Sequence, residues 1–215
     1  MYWAHWSQAE VDARIAEVLE IFRTRGQSFV WLVTARSTPA SLGQSLASHG
    51  LIRELEGRML VTDLPIAGLR VSPDVRVQMV VDRAGIRDGL RVDDPDWDDV
   101  RVSAKLEDRW RRLGKNFWVA VAYLEGRPVG TARWSINRAL GVVEFGGAET
   151  LAAFRGRGVY STLVAFRAAH AAREGCTMAS IIADVGTSAP ILLKRGFKDV
   201  GGATFYLWPL RQFKA

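Results

Sequence analysis

The chain has 215 residues, 48% hydrophobic and 24% charged, the balance of a folded globular protein, which excludes a disordered or low-complexity chain. A single cysteine, Cys176, excludes an intramolecular disulfide framework. With no apolar run near ~18 residues and no basic-then-apolar opening in "MYWAHWSQAEVD", the expectation is a cytoplasmic protein without a membrane partner. The formal charge of +6 favours anionic ligands but is spread along the chain without a basic block, so it serves a small phosphorylated ligand and nucleic acid alike.

In chain order, "AEVDARIAEVLEIF" reads as a helix leading to Gly26. It is followed by a strand, a loop holding Pro39, a helix ending at Gly50-Leu51 and a strand running to Leu64. "VRVQMVV" (Val75 to Val81) alternates as a strand does, and "DRAGIRDGLRVDDPD" reads as loop or short helix. The spacing of Val100, Leu106, Trp110 and Leu113 predicts a helix from Trp97 to Gly114. Phe117 to Ile136 is a hairpin turning at Glu125-Gly126-Arg127-Pro128, and Gly141 to Leu151 is a further strand. A loop rich in arginine and glycine comes next. Val159, Leu163, Phe166 and Ala169 then predict a helix of about four turns ending near Gly175. "MASIIADV" (strand), "TSAPILLKRGF" (short helix) and "TFYLWPL" (strand) complete the order.

The loop "RGRG" (Arg155, Gly156, Arg157, Gly158) joins a strand to a helix N-terminus. The first helical amides have no internal acceptor and sit at the positive end of the helix dipole, so the two arginines strengthen an anion site whose natural guest is a phosphate. A P-loop is excluded because no Gly, four residues, Gly-Lys-Ser/Thr string occurs. The dinucleotide fingerprint G-x-G-x-x-G fails at Ser161, where the third glycine would stand.

"RGRGVY" instead resembles the acyl-coenzyme A loop of the GCN5-related N-acetyltransferase (GNAT) family, Arg/Gln-x-x-Gly-x-Gly/Ala. It matches at Arg155 and Gly158 and departs at Tyr160. The element order from Val75 to Leu210 and "LLKRGF" (Lys194, Gly196, Phe197) strengthen the resemblance. It implies an α+β GNAT fold, a mixed and mostly antiparallel sheet flanked by helices. Arg25 to Leu64 echoes Glu174 to Leu210 element by element, with Leu64 and Leu210 each fourteen positions beyond Gly50 and Gly196, as an internal duplication would produce. Similar helix-Gly-strand units would also look alike without common origin. The expected division is a non-catalytic, partial GNAT-like unit over 1–70 and a GNAT acetyltransferase domain over 71–215.

The resemblance implies acetyl-CoA as co-substrate, no metal, and acetyl transfer to an amine by direct attack. The acceptor would be a small molecule or a protein N-terminus or lysine, nucleic acid is not the expected partner, and the protein would be a monomer or homodimer. The pantetheine arm would meet Thr150, Leu151 and Ala152. The pyrophosphate would sit on Arg155, Gly156, Arg157, Gly158, Val159, Tyr160 and Ser161. Glu144, eleven residues before Arg155, stands where the histone acetyltransferase branch has its general base; by its residues alone it is equally a strand glutamate facing solvent or paired with an arginine. Strand alternation puts Glu144, Gly146, Ala148 and Thr150 on one face and Glu149 on the other. The tyrosine that protonates the departing thiolate in many members is replaced by Leu192, leaving Tyr160, Tyr206 or water for that role. That departure and Tyr160 keep open a catalytically silent module binding CoA or nucleic acid. His5, His49 and His170 lack metal-ligand spacing. Trp31 and Trp134 are core candidates, whereas Trp3, Trp6 and Trp97 fall in irregular segments that would suit a cleft.

Overall fold

The structure is a computed structural model that describes residues 4–96 and 99–209, with the backbone alone for 99–105. Trp3, Trp97 and Leu210 lie outside the described residues, as does the side chain of Val100. The described chain is a mixed α/β fold with eight strands and six α-helices. It divides into two compact units. The first holds the described residues up to Leu60 with Ile182–Leu193 and those from Asp199 on; the second holds Val61–Ile181 and Lys194–Lys198.

In the first unit, α1 (Val11–Thr24) and α2 (Leu42–Ser48) accompany β1 (Phe29–Thr34), β2 (Ile52–Asp63), α6 (Ser188–Leu193) and β8 (Lys198–Trp208). Helical spacing puts Val11, Ile15 and Val18 on one buried stripe of α1, which joins Phe29, Trp31, Leu42, Leu46 and Leu51 in one core. Aromatic rings fill it: Phe22 stacks on Phe29 at 4.2 Å, and Trp6 meets Trp31 edge-on at 5.6 Å. Trp6 is therefore a packing residue. β8 pairs antiparallel with β1 from Phe29↔Trp208 to Thr34↔Ala203 and stands between β1 and β2. The compact units thus cut across the linear order expected from the sequence: α6 and β8 pack with N-terminal elements, because Tyr206 and Trp208 bury against the α1 and α2 core.

In the second unit the strand order is β7-β6-β5-β4-β3, where β3 is Arg76–Met79, β4 Phe117–Leu124, β5 Arg127–Asn137, β6 Val142–Thr150 and β7 Met178–Asp184. Neighbours are antiparallel except β6 and β7, which are parallel. The β4–β5 hairpin turns on Glu125 and Gly126 with φ of 51° and 78°, the positive pair that a tight hairpin turn requires. The segment left open as loop or short helix is α3 (Arg83–Asp93), an eleven-residue helix. Asp82 caps it by accepting from the Gly85 N–H at 2.8 Å, and Ile86, Leu90 and Val92 are its buried face. α4 (Asp99–Arg112) follows it, and α5 is Val159–Arg173. α5 packs on β5 and β6; α3 packs on β4, β5 and β6. Gly130 permits the close approach of α5: a Cβ there would lie 2.6 Å from Val159 Cγ1.

Candidate active site

β6 carries Glu144 and Thr150, two of the candidate residues, and its two edges behave differently. Toward β7 the register runs from Val142↔Met178 to Phe145↔Ile181, while β6 continues to Thr150. Toward β5, the partners run from Val142↔Asn137 to Phe145↔Trp134 and resume at Ala148↔Ala132, so Gly146 and Gly147 together oppose Arg133. This is a β-bulge, and the extra residue reverses the side-chain parity beyond it. Gly130, Ala132 and Trp134 face α5, as the contacts of Trp134 with Phe166 and His170 show, so Phe145, Ala148 and Thr150 face α5 with them. Glu144 and Glu149, opposite Ser135 and Thr131, share the other face. The expectation of Glu144, Gly146, Ala148 and Thr150 on one face with Glu149 opposed is therefore overturned by one inserted residue.

An arginine that sequence reading passed over holds the bulge. Arg167 of α5 is wholly buried, donates Nη1 to the carbonyls of Arg133 and Gly146 (3.3 Å each), donates Nε to Leu163 O (3.3 Å), and lies 4.4 Å from the centre of the Phe145 ring. Burial pushes its pKa down to about 10, an effect the nearby Tyr160 phenol partly offsets. The one signal in the sequence was an arginine on the apolar stripe Val159, Leu163, Phe166, which helical spacing alone would have placed inward.

At the end of β6 the chain makes a short 3-10 turn, Ala152–Phe154, and enters the arginine-glycine loop. Gly156 and Gly158 have φ of 78° and 83°, values that strain any side-chain-bearing residue. At Gly158 a Cβ would also come within 3.0 Å of Ser72 Cβ. The Ser72 N–H donates to Thr162 Oγ1 (3.0 Å), whose hydroxyl donates to Gly158 O (2.9 Å); this clamp on the start of α5 is made by two residues no local motif marks. The helical ladder opens with the Thr162 N–H on Gly158 O, so the Val159, Tyr160 and Ser161 amides precede it. Arg155 donates to Glu149 Oε1 (3.2 Å) and Thr150 O (3.3 Å), and Arg157 pairs with Glu125 at 3.7 Å beside the Phe154 ring. Both guanidiniums are exposed, so these ion pairs are worth at most ~1 kcal/mol and yield readily to a phosphate. Among the pantetheine candidates, the Leu151 N–H is engaged by Val129 O (3.0 Å), whereas Thr150 Oγ1 is enclosed and has no hydrogen-bond partner among the described residues. Ala152 is exposed.

Glu144 is exposed and lines a cleft of about 680 Å³ with Asn116, Ser135, Asn137, Arg138 and Ser180. It lies six residues upstream of Thr150 but, with the bulge, five ladder steps, roughly 17 Å along the strand, so Glu144 and the loop occupy opposite ends of β6 with the bulge between them. Beside the bulge, Arg133 donates Nη1 to Asp93 Oδ2 at 2.6 Å, and Arg109 of α4 bonds the same oxygen. Burial, the largest influence, holds the Arg109 pKa below its ordinary value. Of the acid candidates, Tyr160 lies beside Arg167 and Tyr206 belongs to the aromatic core of the first unit; Leu192 is buried.

Residues 84–197, more than half of the chain, match the model of the Acetyltransferase (GNAT) family. The chain belongs to this family. A functionally unknown conserved protein from Staphylococcus epidermidis has the same fold at 17% identity, with a TM-score of 0.70 over 95% of this chain and 81% of its own. A GCN5-related N-acetyltransferase from Kribbella flavida matches at 19% identity and TM-score 0.64, over 95% of this chain and 77% of that one. A tandem GNAT protein from the clavulanic acid biosynthesis pathway matches at 15% identity and TM-score 0.65, over 92% and 69%. No curated protein matches the chain. In this GNAT chain the family match covers α3 to the end of α6 and takes in the bulge, the loop and Glu144.

Proposed function

We propose that this GNAT protein transfers acetyl from acetyl-CoA to an amine by direct attack, without an acyl-enzyme. The reading rests above all on the end of β6, which continues past the Phe145↔Ile181 pair with β7, next to a helix N-terminus guarded by two exposed arginines. A strand edge of this kind offers backbone groups to an extended arm, and the loop offers amides and positive charge to a pyrophosphate. The residues suit coenzyme A: Arg155 and Arg157 exchange weak carboxylate partners for phosphate, Gly156 has open space beside it, and the enclosed Thr150 hydroxyl lacks, among the described residues, a partner that an amide of the arm would supply.

The bound thioester supplies an activated acyl carbonyl. The chain's own residues then have three tasks. Arg167 holds the Gly146 and Arg133 carbonyls and so keeps the bulge backbone in place. Glu144, on the face away from α5, takes the proton released by the amine, directly or through a water. Tyr160 or water returns a proton to the sulfur. The N-terminal segment contributes packing to the first unit and has no Arg-x-x-Gly loop leading into its helix α1; its one such string, Arg23 to Gly26, follows that helix.

Glu144→Gln keeps size and hydrogen bonding but removes basicity. In a thiol-release assay over a panel of amines it is expected to lower turnover about 10²- to 10⁴-fold at neutral pH, less at high pH where amines deprotonate unaided, with CoA affinity by calorimetry unchanged. Full activity in this variant would return Glu144 to a structural role. Absence of CoA binding by the wild type would sink the proposal itself.

A further inference from the structure

We propose that the acceptor is a zwitterion, an amine with a carboxylate one carbon away as in a free α-amino acid, with Arg133 as the subsite for the carboxylate; this rests on the acyltransferase reading above. Arg133 lies on the bulge itself: a Cβ on Gly147 would stand 2.2 Å from Arg133 Nη2, so the guanidinium occupies the space that any side chain at 147 would fill. Gly147 is exposed, and Arg133 alternates with Ala132 and Trp134, which face α5, so the guanidinium is on the same face as Ser135, Glu144 and Ser180.

The charge there is unbalanced. Among the described residues, the single carboxylate of Asp93 receives both Arg133 and Arg109, leaving this trio with one net positive charge in a setting where Asp93 and Arg109 side chains are each only 12% exposed. Arg109 Nη1 is enclosed with no acceptor among the described residues. A buried surplus cation is costly unless paired. Arg133, at 26% exposure, is the part of the cluster that an anion can reach, with Nη2 directed at the exposed bulge.

Spacing then selects the kind of anion. Gly147 and Glu144 are separated along one face by two pleats, about 7 Å, because the bulge adds a residue without adding a period. A carboxylate and an ammonium on one carbon, with a charge-assisted hydrogen bond of ~2.8 Å at each end, reach roughly 8–9 Å from bonded atom to bonded atom, a span that two side chains based about 7 Å apart on one face can bracket. Glu144 thus meets the ammonium end and Arg133 the carboxylate end. A polyamine meets the surplus cation unfavourably, and a chain N-terminus presents a neutral amide where the carboxylate belongs.

The test uses the whole protein with phenylalanine, phenylalaninamide and phenethylamine, and with glycine, glycinamide and methylamine, followed by thiol release and by calorimetric binding of each in the presence of CoA. The acids are expected to exceed the amides and amines by about 10- to 100-fold in kcat/KM and in affinity, the worth of a hydrogen bond to a charged group. Arg133→Gln should erase that preference through KM while CoA affinity stays unchanged. Arg133→Lys should keep part of it, and Gly147→Ala, whose methyl displaces the guanidinium, should reduce it; these two carry the test if the glutamine variant does not fold. Equal use of acids, amides and amines, equal loss on all of them in Arg133→Gln, or no binding of either acid would overturn the inference. Equal use with normal CoA binding would leave the acyltransferase reading standing, whereas no CoA binding would remove that reading first.

Discussion

The two compact units handle burial in opposite ways. The first closes its core with rings and aliphatic chains, Phe29, Trp31, Leu42 and Leu46, and its ion pairs, such as Arg14–Glu17, Arg23–Glu20 and Arg53–Glu56, lie on the surface. In the second, Thr131, Thr162 and Arg167 are fully buried and the Arg109–Asp93–Arg133 cluster is mostly so, all around β6 or the start of α5. A core meant only to hold a fold gains nothing from desolvated charge, since an apolar side chain of similar size serves as well or better. The buried charge of the second unit gathers around one bulged strand, the strand to which the proposed acyl transfer assigns its residues.

The sharpest way to break this contrast is to exchange the two kinds of residue. Trp31→Ala empties a fully buried position and is expected to destabilise the protein by ~3–5 kcal/mol in urea unfolding, while kcat/KM of the remaining folded protein is unchanged. A loss of CoA affinity in that variant would show that the first unit shapes the site. Arg167→Met is expected to do the reverse. Removing the whole charge from an apolar pocket should leave stability within ~2 kcal/mol of wild type, in either direction. With the Gly146 and Arg133 carbonyls released, turnover should fall by at least about tenfold with CoA affinity nearly intact, the pattern of an interaction realised in the transition state. Arg167→Lys should recover part of the turnover. A variant that simply unfolds, with normal activity before it does so, would reduce Arg167 to a packing residue.

The smallest effect concerns His170, at the far end of α5. Trp134 Nε1 donates to its Nδ1 at 3.2 Å, and burial, the largest cause, lowers its pKa from the ordinary 6.5. A lowered pKa means that the unfolded chain binds the proton more readily than the folded one. The stability from neutral His170 is therefore complete above 6.5 and is lost as pH falls from there through the folded pKa. Urea midpoints should drop on acidification across that window in the wild type, and less so in His170→Gln. An unchanged pH slope in the variant would mean that other groups carry the acid sensitivity.

Much of this was legible in the chain. The arginine-glycine loop, the hairpin turn at Glu125-Gly126 and the helix from Val159 depend on residues near one another, and local backbone rules read them correctly. α3 was harder to see because its apolar residues are only Ile86, Leu90 and Val92 among charges, and its helical state depends on packing against β4 and β5. β8 proved longer than the apolar "TFYLWPL", since its opening residues Lys198, Asp199 and Val200 are exposed and give no apolar pattern.

The sequence by itself determined the class of the protein and the place of its arginine-glycine loop, because a glycine that must take positive φ and a helix that must begin somewhere leave marks on adjacent residues. Only the tertiary structure decided which face Glu144 and Glu149 share, that Ser72 clamps Gly158, and that Arg133 and Arg167 meet the bulge from opposite faces of the sheet. Counting residues in twos presumes an unbroken ladder. Whether a strand accommodates an extra residue depends on the helix and the strand on either side of it, and those partners are distant in the chain.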